Sequence, residues 1–173
     1  MNATTLINGI IDAFNAHTTL PAKPSKAFRK HDGRTPYFVH PTWCAMTILH
    51  ELALPVELRV RGSLVLQFHD VLEDTLASLP SNLPADVVEG INHMTFPGGS
   101  AQEQVELWEK PLEIQLFKAY DKVANLLDGF NQTPEKAARA DAHARRLLGV
   151  VEDAYGTLNI VKNGRALLGE ARG

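Results

Sequence analysis

The chain has 173 residues, 45% apolar and 21% charged, with 17 lysines and arginines against 20 aspartates and glutamates. That length supports one folded unit with a real core, expected over residues 1–173. The net charge of −3 argues against a broad surface for a nucleic-acid polymer and leaves room for a local basic pocket. One cysteine, Cys44, rules out an internal disulfide and suits a reducing compartment. The opening "MNATTLINGIIDAFNAH" does not read as a signal peptide, and no run reaches the ~18 apolar residues of a membrane span, so a cytoplasmic protein with no membrane partner is expected.

Helical signals follow one another along the chain. Leu6, Ile7, Ile10, Ile11 and Phe14 recur at helical spacing, and "TTLPAKPSK" then reads as a loop. Pro41 suits the first position of a second helix, with Ala45, Met46, Ile48, Leu49 and Leu52 on its apolar face and Pro55 ending it. A third helix is predicted from about Val56 through "FHDVLEDT", residues 68–75. "LPSNLP" breaks the chain, "ADVVEGINHM" reads as a short amphipathic helix and "TFPGGS" as a loop. In "KPLEIQLFKAYDKVANLLDGF", Ile114, Phe117, Val123, Ala124, Leu127 and Phe130 keep the 3.6-residue period. Thr133 followed by Pro134 predicts a helix start. "VELRVRG" alternates briefly, but its neighbours favour helix, and the expected class is all-α.

The octet "FHDVLEDT" places His69, Asp70, Glu73 and Asp74 beside the apolar run Leu64, Val65, Leu66. On a continuous helix His69 stacks over Glu73 and Asp70 over Asp74. Burying carboxylates without partners costs several kcal/mol each, and a divalent cation removes that cost. A charged stripe also arises as a solvated or salt-bridged face, and the octet alone leaves both readings open. His40 stands at a loop-to-helix junction just before Pro41, and Asp121 lies in a strongly apolar helix. His40, His69, Asp70 and Asp121 together supply two imidazoles and two carboxylates, a set that suits Mn, Fe, Co or Zn better than Ca.

In this order the four residues resemble the HD-domain metal-dependent phosphohydrolases. The stretches "FRKHDGRTPYFVHP", "LQFHDVLEDT" and "FKAYDKVANLLD" are more narrowly similar to the hydrolase domain of the stringent-response alarmone enzymes and their small single-domain relatives. The resemblance implies a compact HD-type helical bundle and a (p)ppGpp 3′-pyrophosphohydrolase activity. It implies one divalent ion, Mn²⁺ before Co²⁺, Zn²⁺ or Fe²⁺, on His40, His69, Asp70 and Asp121. It further implies that Glu73 and Asp74 handle the attacking water, and that Arg29, Lys30, Lys118 and Asn125 lie near the nucleotide. A homo-oligomer follows from the family alone.

The chain departs from that pattern twice. "TTLPAKPSK" separates the first helix from Arg29, and "HMTFPGGSAQEQ" keeps Thr95 but lacks the charged residues expected after it. A deoxynucleoside mono- or triphosphate hydrolase therefore stands as the alternative, and a non-catalytic nucleotide-binding module as a third reading. Among the other histidines, His50, with Glu51, and His93 read as surface residues. His17 reads as a helix-end residue favoured by the dipole. His143 lies on a basic late helix that is either a solvated face or a phosphate-facing wall.

Overall fold

The computed structural model describes residues 3–128 and 133–170. Its helices are α1 (Ala3–Thr19), α2 (Val39–Leu49), α3 (Val56–Phe68), α4 (Val71–Asp74), α5 (Ala85–Met94), α6 (Ser100–Glu106), α7 (Leu112–Leu127), α8 (Pro134–Tyr155) and α9 (Asn159–Leu167). Single 3-10 turns occupy Pro24–Lys26 and Leu107–Glu109. Extended pairing among the described residues is limited to two isolated bridges, Pro21 with Thr75 and Phe28 with Pro36. The all-α expectation holds, and "VELRVRG" lies within α3. No described helix is long and apolar enough to cross a membrane.

The bundle is organised around α7, which packs against α2, α3, α5, α8 and α9. Every residue from Ile114 to Asp121 is buried. A helix enclosed on all sides is normally apolar throughout, so Lys118 and Asp121 in its middle require partners of opposite charge. In α3, Gly62 through Phe68 are likewise all buried. A Cβ on Gly62 would stand 2.5 Å from Phe117 Cε1 and 2.6 Å from Ile48 Cδ1. The missing side chain is what lets α3 approach both α7 and α2. Phe130 lies outside the described residues.

Three helix ends bear on the expectations. Thr133 caps α8, its hydroxyl accepting from the Lys136 backbone N–H, with Pro134 first in the helix. Pro41 is the third residue of α2, not the first, because the helix begins at Val39. Proline is tolerated there since first-turn N–H groups have no intrahelical acceptor, and the earlier start puts His40 in the first turn. Glu51 is buried, unlike its exposed neighbour His50. Its carboxylate accepts from Ile160 N at 3.3 Å and Asn159 Nδ2 at 3.1 Å, closing the N-terminus of α9, where negative charge is favoured.

The first helix departs from a simple apolar-face reading. Gly9, Ala13, Ala16 and His17 face inward, while Ile7, Ile11 and Phe14 stay exposed. Phe14 meets Phe38 edge-on at a centroid distance of 5.1 Å. Small residues on the inner face bring α1 close to α3 and α4, which carry the octet.

Candidate metal centre

The octet is not one continuous helix. The α3 helix ends at Phe68, His69 and Asp70 form the junction, and α4 runs only from Val71 to Asp74. Asp70 has φ −98° and ψ −3°, outside ideal helix geometry. The helix breaks at the His-Asp pair, and α4 restarts from it, with Asp74 N still donating to Asp70 O at 2.8 Å one turn on. The segment after it is tied elsewhere: Ala22 N donates to Asp74 O at 2.9 Å, and Leu76 N to Leu20 O at 2.8 Å. Tertiary pairing with the loop after α1 overrides local continuation of the helix.

The break aims both side chains inward. His40, His69 and Asp70 each place one ligand-type atom within 4.8 Å of the others. His69 Nε2 lies 3.0 Å from Asp70 Oδ2, and His40 Nε2 lies 3.6 Å from the same oxygen. From α7, Asp121 Oδ1 approaches His40 Nε2 to 3.2 Å and His69 Nε2 to 3.8 Å. The two imidazole centroids are 5.3 Å apart.

The donor set fits a divalent transition-metal ion. His69 Nδ1 faces the Leu66 carbonyl at 2.6 Å, which assigns its proton to Nδ1 and leaves the Nε2 lone pair pointing at the carboxylates. That Nε2 is buried and makes no well-aligned hydrogen bond, although Asp70 Oδ2 is 3.0 Å away. An orphaned imidazole nitrogen among carboxylate oxygens is the arrangement a cation satisfies.

The electrostatics point the same way. Burial works against a charged His69, yet the Asp70 and Asp121 carboxylates overcome it and push its pKa up to about 10. Burial dominates at His40 and lowers its pKa. For Asp70, burial opposes ionisation, but His69 and His40 hold the carboxyl well below its usual range. Asp121 is likewise desolvated and still held low, by Lys122, Lys118 and the two histidines. The pocket calls for positive charge between its carboxylates, which a divalent ion supplies.

Further contacts fasten the set. The Tyr37 hydroxyl donates to Asp70 Oδ2 at 2.7 Å. Asn125 Nδ2 donates to Asp121 Oδ1 at 2.7 Å, and its own oxygen accepts from Arg29 Nη2 at 2.9 Å. Arg29 is also paired with Asp128. Lys118 is buried, 3.3 Å from Asp121 Oδ2 and 3.2 Å from Glu103 Oε2. Lys122 lies 3.2 Å from Asp121 Oδ2 and 2.7 Å from Glu103 Oε1. His143 Nε2 reaches Glu103 Oε1 at 3.2 Å.

The Glu73 and Asp74 carboxylates stand apart from this group: the Asp74 backbone N–H donates to the Asp70 carbonyl at 2.8 Å, but the two side chains are engaged elsewhere. Glu73 Oε1 accepts from the Phe96 backbone N–H at 2.6 Å. Partial burial raises the Glu73 carboxyl above its ordinary value, with the Phe96 bond acting against it. Asp74 is buried and paired with Lys26.

A cleft of ≈ 610 Å³ opens beside the centre, bordered by Tyr37, Asp74, Lys122 and Asn125. Lys26, Arg29 and Lys30 line one part of it, and Lys136, Arg139 and His143 from α8 another. Lys30 is exposed. An apolar hollow on the outer side of α2, around Phe38, Trp43 and Met46, contains none of the candidate ligands. His93 stays at the surface, 3.8 Å from Glu89. His17, by contrast, is fully buried: desolvation lowers its pKa to about 4, and no helix-dipole stabilisation of its charge survives. Tyr37, Glu103 and Lys122 were not among the expected site residues. Tyr37 sits three residues before His40 and Lys122 directly follows Asp121, whereas nothing in "SAQEQVE" singles out Glu103.

No protein-family model matches the sequence, and no curated protein matches it. The comparison that succeeds is with solved structures, and it defines an architecture: an all-helical fold shared along nearly the whole chain. One solved structure that shares it is that of a metazoan ortholog of SpoT that hydrolyzes ppGpp and plays a role in starvation responses. The match covers 96% of this chain and 95% of the other, with a TM-score of 0.76 and 18% sequence identity. At that identity the likeness is one of fold.

Proposed function

We propose that the chain is a metal-dependent nucleotide phosphohydrolase that removes the 3′-pyrophosphate of a ppGpp-type guanosine nucleotide. The carrying observation is the convergence of His40, His69 and Asp70, with Asp121 against both imidazoles, beside a cleft whose lining mixes lysine and arginine with Asp74, Glu103, Asp128 and Asp141. The shared fold with a ppGpp-hydrolysing protein supports the choice of substrate.

His40, His69, Asp70 and Asp121 would hold one divalent ion, with Mn²⁺ favoured. When bound there, it supplies Lewis acidity and lowers the pKa of water. The chain's own residues do the rest. Tyr37 and Asn125 orient the two ligand carboxylates, and Arg29 orients Asn125. Lys30 meets phosphate oxygens at the cleft, where phosphoryl transfer gains most from positive charge. Glu73 takes the proton of the attacking water through its free oxygen, while Asp74 orients that water. As the water oxygen joins phosphorus, the bond to the ribose 3′ oxygen breaks, that oxygen takes up a proton from solvent in the open cleft, pyrophosphate departs, and Glu73 returns its proton to solvent.

The neutral stretch from Thr95 to Gln102 favours a second reading, hydrolysis of deoxynucleoside mono- or triphosphates, since it offers no charge to a pyrophosphate. One experiment separates the two. Metal-stripped protein is given Mn²⁺, Co²⁺ or Zn²⁺ and tested on ppGpp, a dNMP panel and a dNTP panel. Pyrophosphate release from ppGpp supports the first reading, and turnover of a deoxynucleotide with inertness toward ppGpp selects the second. Asp121→Ala and His69→Ala are expected to lose both metal content and turnover; full activity in either metal-free variant refutes both readings.

A further inference from the structure

The segment between the first helix and Arg29 carries a residue that the proposed chemistry leaves unused. Residues 20–26 are strapped to the end of the octet at three points. Leu20 O accepts from Leu76 N, Ala22 N donates to Asp74 O, and the Lys26 ammonium pairs with the Asp74 carboxylate. Lys26 belongs to the 3-10 turn Pro24–Lys26. Its side chain is 33% exposed while that of Asp74 is 8% exposed, and both line the ≈ 610 Å³ cleft.

Two of the other cations of the cleft are committed. Arg29 is engaged by Asp128 and Asn125, and Lys122 by Glu103 and Asp121. Lys26 differs in geometry. An ammonium has three N–H donors, Asp74 takes one of them, and the part-exposed side chain lines the same cleft as Lys30. The backbone strap places the segment and the Asp74 carboxylate holds the ammonium, so it is not a freely waving surface lysine.

We infer that Lys26 is a substrate-binding, specificity-determining residue that clamps a phosphate group of the substrate to Asp74, donating to the carboxylate and to a phosphate oxygen at once. The inference rests on the phosphohydrolase reading and deepens it. It assigns phosphate recognition to the segment inserted before Arg29, which compensates for the uncharged stretch after Thr95. The substrate class that benefits most is one presenting a diphosphate, because two phosphate groups offer the ammonium acceptors on both sides.

The test uses the full-length, Mn²⁺-loaded protein and two readouts: inorganic pyrophosphate binding by calorimetry, and KM and kcat on whichever nucleotide of the panel the wild type hydrolyses. Lys26→Met is expected to weaken pyrophosphate binding and raise KM by about tenfold or more, the size of one charge-assisted hydrogen bond. Its Mn²⁺ stoichiometry should be retained, and its loss should fall on KM and pyrophosphate affinity more than on kcat. Lys26→Arg, which keeps charge and donors, should restore most of the affinity. Asp74→Asn, which frees the ammonium, should bind pyrophosphate at least as well as the wild type. Lower kcat with unchanged KM and unchanged pyrophosphate affinity in Lys26→Met overturns the clamp, leaving Lys26 a mere pin for Asp74. Loss of pyrophosphate binding in Asp74→Asn also overturns it. If the wild type hydrolyses nothing in the panel, the phosphohydrolase reading fails separately, and the pyrophosphate titration still decides the role of Lys26.

Discussion

The Tyr37 hydroxyl donates a 2.7 Å hydrogen bond to Asp70 Oδ2, the oxygen that also lies 3.0 Å from His69 Nε2. One phenol thereby sets the rotamer of a carboxylate on which both imidazoles converge. Burial, reinforced by Asp70 and Asp74, raises Tyr37 well above an ordinary phenol, so it remains a donor throughout the working pH range. Tyr37→Phe keeps the ring and removes the bond. Mn²⁺ affinity, measured by titration of the stripped protein, is expected to fall roughly ten- to a hundredfold, with little change in melting temperature.

Glu73 and Asp74 are expected to matter for turnover and not for metal content. Glu73→Gln and Asp74→Asn should each bind Mn²⁺ as the wild type does and lose about a hundredfold or more in kcat. Because burial raises the Glu73 carboxyl above 4.5, kcat/KM should climb with pH through a value above that figure as the base form appears. Glu73→Gln should lack this acidic limb. A metal-free Glu73→Gln protein would assign Glu73 to the ion itself.

The buried cluster of Glu103, Lys118, Lys122 and Asp121 joins α6 to α7. Removing Glu103 leaves two ammonium groups facing one carboxylate in a largely buried cluster at the edge of the cleft. Glu103→Ala is expected to destabilise the fold by about 3–5 kcal/mol, read from urea unfolding. Burial opposes the Glu103 charge, but Lys122, Lys118 and His143 outweigh it and bring the pKa down to about 2. The unfolded chain therefore takes up this proton first. The stability Glu103 contributes is complete above pH 4.5 and is lost as pH falls toward 2.

His17 gives a second, distinct pH window. Desolvation brings its pKa from 6.5 to about 4, so the unfolded chain protonates before the folded one. Stability should decline by about 3 kcal/mol as pH drops from 6.5 to 4, the free-energy equivalent of that shift. His17→Leu should flatten the decline in urea unfolding at several pH values across this window. An unchanged slope would place the titration elsewhere.

These residues also mark what was legible in the sequence. His40 was visible because it precedes Pro41 at a junction, and Asp121 because it interrupts a strongly apolar helix. The break at His69 and Asp70 was not, since no glycine or proline signals it. It is imposed by the strap between residues 20–22 and 74–76, a contact across more than fifty residues. Glu103 was invisible because "SAQEQVE" has the composition of a solvated helix, and its charged partners lie on α7 and α8. His17 was misread because helix-end charge preference assumes water nearby, and the close packing of α1 removes it. Ile7, Ile11 and Phe14 kept helical spacing yet stayed outside, because the small residues of the same helix face inward.

The four candidate ligands come from three separate stretches of chain, and this has a topological consequence. An ion gripping them would close two chain loops, roughly 30 residues from His40 to His69 and roughly 50 from Asp70 to Asp121, in the manner of a removable cross-link. Neither loop is short enough to form by local folding, so the grip would be available only after α2, α3 and α7 have docked. Native topology would then be a precondition for tight metal binding, and the midpoint of denaturation would report the free concentration of the ion.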